Sequence, residues 1–240
     1  MRRDHRPYLL KKAYLKFQDF YVHHFLRPQF ESLGKGFTIL HPWNVQVFGP
    51  RISLGNYANL ITTSEKKVWF TVWSDSPEKG RIRVGDYCLI CPGVRISAAT
   101  EIVIGDNCML ASGVYVTDSD WHDTYDRVAP IGKTAPVHIG ENVWVGDGAI
   151  VCKGVTIGEN SIVGAGSVVV SSVPPNVIAA GNPARTVKHL DPNEKMIRRA
   201  EWYQDPERLS REIDQIDRDM LRHNTIRDWF RSLIRPGPGD

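Results

Sequence analysis

Aliphatic residues recur at every sixth position along much of the chain. A period of six matches neither an α-helix, which repeats every 3.6 residues, nor a single strand, which repeats every two. It predicts a solenoid in which three hexads form one triangular coil and the aliphatic side chains point inward. The positions that define the pattern are all Val, Ile or Leu: Val84, Ile90, Ile96, Ile104, Leu110, Val116, Ile139, Val145, Val151, Ile157, Val163 and Val169.

Two interruptions of the period predict loops. The interval from Ile104 to Ile139 exceeds one coil by seventeen residues, and we expect the excess to form a loop at 118–136. A second excess, of twelve residues, predicts a loop near 66–80 that carries Trp69, Phe70 and Trp73. Loops on a rigid scaffold are where binding and catalytic residues concentrate, so both are candidate sites.

The two ends of the chain do not follow the period. We divide the chain into an N-terminal amphipathic helical segment at 1–33, the solenoid at 34–190 and a C-terminal helical extension at 191–240. The fold class is an all-β solenoid with α-helical additions. Residues 7–26 place one aromatic face beside several Lys and Arg, and this face either packs on the solenoid or a neighbouring subunit or touches an anionic membrane surface.

Composition excludes several function classes. A net charge of +3 over 240 residues is too small to indicate nucleic-acid binding. No run of eighteen apolar residues is present, and the first apolar run is too short for a signal peptide, so we expect a cytoplasmic protein. Cys88 and Cys91 have a C-x-x-C spacing, but without a second pair they are interpreted as small apolar residues of the wall.

The 118–136 loop contains the residues best suited to chemistry. Asp118, Asp120 and His122 could alternate as metal ligands on an extended segment, although the glycine of a calcium loop is missing. His122 could instead pair with an aspartate for structural reasons. A third interpretation makes His122 a general base, because a neutral imidazole accepts a hydroxyl proton near pH 7.

Several motifs together resemble the hexapeptide-repeat acyltransferases, and most closely their maltose, galactoside and O-antigen acetyltransferase branch. The resemblance covers roughly residues 36–190. It implies a left-handed parallel β-helix, a homotrimer, and acetyl transfer from acetyl-CoA to a hydroxyl or amine without a metal. The motifs that carry it are Asp120-Trp121-His122, the run from Val137 to Gly146, Gly164-Ala165-Gly166-Ser167, and the run from Ala180 to Arg185.

The resemblance also implies roles for individual residues. His122 matches the catalytic histidine, in a groove between two subunits, and Trp144 matches the tryptophan beside the pantetheine arm. Arg185 and Lys188 match basic residues near the nucleotide phosphates, and Ala165 a small residue that lets the cofactor approach closely. The same comparison places Gly146 and Ser171 at the cofactor, where Ser171 stands in a Val-Ser-Ser run that lacks an expected lysine. Candidate acceptor contacts are Asp118, Asp120, Trp121, Tyr125 and Cys91.

The resemblance therefore implies an acetyl-CoA-dependent O-acetyltransferase that acts on a sugar or saccharide, with a cell-surface polysaccharide precursor favoured. Two alternatives stay open, an N-acetyltransferase of the same fold acting on an amino sugar, and a non-catalytic β-helix scaffold. The γ-type carbonic anhydrases share the fold, but no two of the eight histidines have the five-residue separation of their zinc ligands.

Overall fold

The computed structural model describes residues 4–74 and 79–237, and these residues form two compact units. One unit comprises Tyr21–Glu201 and contains the coils. The other comprises Met1–Phe20 and Trp202–Asp240 and is helical. The three-part division made from the sequence stays a prediction.

The coil unit is built from short strands. In chain order they are β1 (Ser32–Leu33), β2 (Thr38–Leu40), β3 (Val45–Phe48), β4 (Ile52–Leu54), β5 (Asn59–Ile61), β6 (Val68–Val72), β7 (Arg81–Val84), β8 (Leu89–Ile90), β9 (Arg95–Ala98), β10 (Glu101–Ile104), β11 (Met109–Leu110), β12 (Tyr115–Thr117), β13 (Val137–Ile139), β14 (Trp144–Val145), β15 (Ile150–Val151), β16 (Thr156–Ile157), β17 (Ile162–Val163), β18 (Val168–Val169), β19 (Val177–Gly181) and β20 (Ala184–His189). Short 3₁₀ turns at Arg27–Gln29 and Pro42–Asn44 accompany them.

Successive strands are distributed over three sheets, as a triangular coil requires. The first sheet has the order β1-β4-β7-β10-β13-β16, and the third has β18-β15-β12-β9-β6-β3. The second is β2-β5-β8-β11-β14-β17-β19-β20, in which only the last pair is antiparallel. The strands form a left-handed parallel β-helix, and the predicted fold class is confirmed.

The aliphatic residues of the six-residue period form the core of this β-helix. Ile104 pairs in register with Val84 on one side and with Ile139 on the other, and Ile139 pairs with Ile157. The predicted coil lengths and the loop between the second and third of these coils are therefore confirmed. All twelve aliphatic positions are at most 2% exposed, so each stacks on its counterpart one coil away.

One corner of the triangle is held by residues in the left-handed backbone region. Asn142 donates from Nδ2 to Oδ1 of Asn160 at 3.0 Å, and Asn160 donates in the same way to Asn176 at 2.9 Å. Asparagine tolerates positive φ better than most residues, and its amide continues the ladder from coil to coil. The corner residues with positive φ are Tyr57, Tyr87, Asn107, Asn142, Asn160 and Asn176.

The prediction of a loop near 66–80 is wrong in part. Val68–Val72 is strand β6, which pairs with β3 and β9 in the third sheet. Phe70 is fully buried at an inward position opposite Ile96, while Trp69 and Trp73 point outward. The coil needs a strand here, and a phenylalanine fills the place that Val, Ile or Leu fills elsewhere. Residues 75–78 of the expected loop lie outside the described residues.

The α-helices lie before the first strand and after the last strand of the chain. They are α1 (Tyr8–Tyr21), continued by a π-helical turn at Val22–Leu26, then α2 (Arg199–Trp202), α3 (Pro206–Leu221) and α4 (Ile226–Ile234). Within the helical unit, the Tyr8 hydroxyl donates to Asp214 and Lys11 pairs with Asp217, both at 2.7 Å. Among the described residues, no helix is long and apolar enough to cross a membrane.

Candidate active site

The loop between β12 and β13 has a narrow neck. Ser119 and Thr134 form an antiparallel bridge, and the backbone N–H of Asp120 donates to the Lys133 carbonyl at 2.9 Å. Gly132 closes the neck, because its N–H donates to the Asp120 carbonyl at 2.7 Å and a Cβ there would lie 2.5 Å from the His122 carbonyl oxygen. His122 therefore sits just beyond a backbone clamp.

Asp118 anchors this neck from inside the protein, and the expectation that it contacts an acceptor is wrong. Its side chain is fully buried and accepts four hydrogen bonds. The donors are the backbone N–H groups of Ala99, Thr100 and Glu101, at 2.6 to 2.7 Å, and the Thr100 hydroxyl, at 2.9 Å. A carboxylate so enclosed ties the loop to the preceding coil and has no surface left for a ligand.

The other loop residues differ in how firmly they are held. Asp120 accepts from Lys153 Nζ at 2.6 Å, which ties the loop to the coil above. Trp121 donates from Nε1 to the Tyr115 hydroxyl at 3.0 Å. The His122 side chain is exposed, and Tyr125 is 95% exposed near the loop tip. No group of three or more His, Cys, Asp or Glu side chains among the described residues could hold a metal ion.

The second sheet brings together three of the residues expected at the cofactor. Trp144 pairs in register with Ile162, Ile162 with Ile178, and Ile178 with Lys188. These positions share the outer face of the sheet, so Trp144 and Lys188 are about 14 Å apart along it, at about 4.8 Å per strand. Arg185 is on the same face, since it pairs with Ala180, two residues beyond Ile178.

Gly146 lies one coil below Gly164, beside Ala165, where the second sheet ends. Ala165 is exposed, whereas Gly146 is buried beneath it. A Cβ on Gly146 would lie 2.6 Å from the Ala165 backbone nitrogen and 2.7 Å from the Val163 carbonyl oxygen. Close stacking of the coils is thus a sufficient reason for this glycine, while Ala165 keeps an open surface.

Two further candidates stand apart from this group. Ser171 is exposed in the turn that follows β18, and β18 is a strand of the third sheet, not of the second. Cys91 is partly buried at the end of β8, and its burial raises the pKa of the thiol. A thiol with a raised pKa is a poor nucleophile at neutral pH, which fits a wall residue better than a reactive one.

The candidate residues thus form two groups in one chain. Trp144, Arg185 and Lys188 share the outer face of the second sheet, and Ala165 borders it. His122 projects from a loop that leaves the third sheet. Sequence reasoning missed Lys153 and Tyr115, which hold the loop; nothing in the six-residue period marks outward positions such as these.

Family models match two stretches of the β-helix. The model described as bacterial transferase hexapeptide (six repeats) matches residues 136–171, and that described as hexapeptide repeat of succinyl-transferase matches 81–118. The chain carries hexapeptide repeats of the kind found in bacterial transferases over these two stretches. The resemblance drawn from the motifs is therefore confirmed.

Known proteins similar to the chain include acetyltransferases whose names refer to sugars. The chain is 38% identical over 96 residues to galactoside O-acetyltransferase of Escherichia coli K12, a match that covers 39% of this chain and 47% of that protein. It is 29% identical over 153 residues to the putative colanic acid biosynthesis acetyltransferase WcaF of the same organism, covering 62% and 76%. The chain thus spans about half the length of the first of these relatives.

A solved structure extends the comparison to the fold. The crystal structure of a hexapeptide-repeat-containing acetyltransferase from Vibrio cholerae superposes with a TM-score of 0.51 at 25% identity. The match covers 75% of this chain and 89% of that one. The roles of His122, Trp144, Arg185 and the other candidate residues stay predictions.

Proposed function

We propose that this chain is an acetyltransferase that moves an acetyl group from acetyl-CoA to a hydroxyl of a saccharide, with His122 as the general base. The observation that carries the proposal is the exposed imidazole on a clamped loop, in a chain whose second sheet presents Trp144, Arg185 and Lys188 on one face. The names of the relatives, galactoside O-acetyltransferase and a putative colanic acid acetyltransferase, support a sugar acceptor.

The second sheet suits acetyl-CoA. Trp144, 45% exposed, offers a flat apolar surface for the pantetheine arm. The guanidinium of Arg185 and the ammonium of Lys188 lie on the same face and would meet the phosphates. Ala165 is small enough to let the arm lie close to the backbone. From the sequence we still expect a cytoplasmic protein, which would meet acetyl-CoA there.

The reaction needs one proton acceptor and no covalent enzyme intermediate. The neutral imidazole of His122 takes the proton from the acceptor hydroxyl as its oxygen attacks the thioester carbonyl carbon. The new C–O bond forms, the C–S bond breaks, and the thiolate of CoA leaves with the proton that the imidazolium returns. Cys91 and Cys152, whose pKa values are raised by burial, take no part.

The active site is proposed to lie between two subunits of a homotrimer. Within one chain, His122 and the Trp144 face belong to different sheets of the triangle. A groove between neighbouring subunits would let the His122 loop of one subunit face the second sheet of the next. This arrangement is the one that the family resemblance implies.

Replacement of the base tests the assignment. We expect His122→Ala to lower turnover by about 10²- to 10⁴-fold, because that is the range that general base catalysis supplies. Turnover is measured as transfer of labelled acetyl from acetyl-CoA to a panel of galactosides, oligosaccharides and amino sugars. Binding of CoA, followed by thermal shift, should stay close to that of the unaltered protein.

A second histidine provides the control. His138 is on the outer face of β13 in the first sheet, with Nε2 3.8 Å from Glu101 Oε2. His138→Ala should leave turnover within about twofold, since no step uses this side chain. Normal turnover by the His122 variant would remove His122 from the mechanism. Transfer to amino sugars alone would replace O-acetylation by N-acetylation, and failure to bind CoA would favour a scaffold.

A further inference from the structure

The outer face of the third sheet carries a row of side chains that leads to the His122 loop. Trp69, Arg95 and Tyr115 occupy register-paired outward positions on β6, β9 and β12. Trp121 extends the row, since its indole N–H donates to the Tyr115 hydroxyl at 3.0 Å. We call these four residues, three aromatic residues and one arginine, the aromatic row. Its last member is the neighbour of His122 in the chain.

Arg95 is held in a way that suits an anionic ligand. Its guanidinium carbon lies 4.3 Å from the centroid of the Tyr115 ring. The side chain is exposed, and no carboxylate in the described part of the chain forms an ion pair with it. Stacking on a ring fixes the guanidinium plane and leaves the N–H donors at its edge available, so less rotamer entropy is lost when a carboxylate binds.

The rest of the row supplies open aromatic surface. Trp69 is 42% exposed, although it is paired on both sides within a sheet. Next to it along the outer face, Phe48 and Trp73 are each 57% exposed, with ring centroids 5.7 Å apart. Exposed aromatic clusters of this kind mark binding surfaces, and their rings offer large apolar contact to the flat face of a sugar.

We propose that the aromatic row binds the acceptor, and that this acceptor is a saccharide bearing a carboxylate. A sugar ring packs on Trp69 and its carboxylate accepts from the Arg95 guanidinium. The chain of the saccharide then runs past Tyr115 and Trp121 towards His122, where the reacting hydroxyl meets the base. Tyr115 is a positioning residue, because it acts through Trp121. The inference rests on the proposed acetyl transfer and names its substrate class.

A matched pair of disaccharides tests the proposal. Cellobiouronic acid and cellobiose differ only by a carboxylate in place of a hydroxymethyl group. Calorimetric titration into the full chain should show the acid binding at least about 10-fold more tightly, as a charge-assisted hydrogen bond to Arg95 requires. Arg95→Gln should abolish this preference, and Trp69→Ala should weaken both sugars by a similar factor.

Two further variants separate binding from folding and assembly. Arg83→Gln removes an outward arginine from the first sheet and should leave both affinities unchanged. Arg95→Lys keeps the charge without the planar stack, so it should retain only part of the preference. Oligomer mass by light scattering is measured for each variant; a loss of assembly on Arg95→Gln would make the row a subunit contact and overturn the proposal.

The experiment also distinguishes this inference from the proposed function. His122→Ala should bind cellobiouronic acid as tightly as the unaltered chain while failing to acetylate it. Equal affinity for the two disaccharides, or none, would overturn the aromatic row even if other acceptors are acetylated. Preferential binding of the acid without transfer from acetyl-CoA would support the aromatic row as a binding site and contradict the proposed acetyl transfer.

Discussion

Asp118 is the residue on which the position of His122 most depends. Its buried carboxylate accepts from three backbone N–H groups and one hydroxyl of the preceding coil. Asp118→Asn would turn an amide N–H₂ towards those donors, and an unsatisfied buried donor costs about 1–3 kcal/mol. We expect the free energy of unfolding in urea to fall by at least that amount, and turnover to fall further than CoA binding.

The control for this prediction is Asp126→Asn, which removes the same charge from an exposed position of the same loop. Among the described residues, the Asp126 carboxylate accepts one hydrogen bond, from the backbone N–H of Val128 at 3.1 Å. Exposed substitutions usually change stability by no more than about 0.5 kcal/mol. Equal effects of the two substitutions would mean that loop charge, and not the buried hydrogen bonds, determines stability.

Inward residues could be predicted from the sequence, but the contacts that the loop makes with the outer face could not. The twelve aliphatic positions follow from the period, because every inward side chain stacks on one of its own kind. Strand β6 was not predicted because its inward residue opposite Ile96 is Phe70, which does not belong to the aliphatic pattern. Arg95 and Tyr115 each precede a member of the period and pair in register, so their contact follows from the coil. Trp121 reaches Tyr115 only when the loop folds back on the sheet, and no local pattern encodes that contact.

The helical unit contains an acid-sensitive contact between α1 and α3. Hydrogen bonds from the Tyr8 hydroxyl, Arg218 and Lys12 hold the pKa of Asp214 well below its ordinary value of 3.8. A carboxyl with a lowered folded-state pKa adds stability that is present above its ordinary pKa and is lost as pH falls through the folded one. The contact should therefore persist to about pH 4 and weaken below it.

Thermal unfolding between pH 6 and pH 2 measures this effect. The unaltered chain should lose stability below about pH 4, and Asp214→Asn should be less stable at pH 6 but change less with acid. Asp219→Asn makes the same replacement on α3 and should keep the unaltered pH dependence. Within residues 4–74 and 79–237, the Asp219 carboxylate accepts only from Gln215, at 3.2 Å. Parallel curves for Asp214→Asn and the unaltered chain would show that this contact does not contribute.

A shared active site makes a prediction about mixtures of subunits. His122 and the Trp144 face belong to different sheets of one chain, and the proposed groove combines them from neighbouring subunits of a trimer. One variant, His122→Ala, lacks the base but keeps the cofactor face. A second, with Arg185→Glu and Lys188→Glu, keeps the base but repels the phosphates. Each homotrimer should be inactive.

Mixed trimers should recover activity if each site draws its base and its cofactor face from different subunits. When the two variants are unfolded together and refolded in equal amounts, about a quarter of the interfaces pair an intact His122 with an intact second sheet, by random assortment within a closed ring. Activity per subunit should then approach a quarter of that of the unaltered protein refolded in the same way. A site contained in one subunit gives no recovery, because every subunit in the mixture carries one defect. Separate refolding of the variants, followed by mixing without exchange, supplies the baseline, and a trimer mass by light scattering shows that both mixtures assembled.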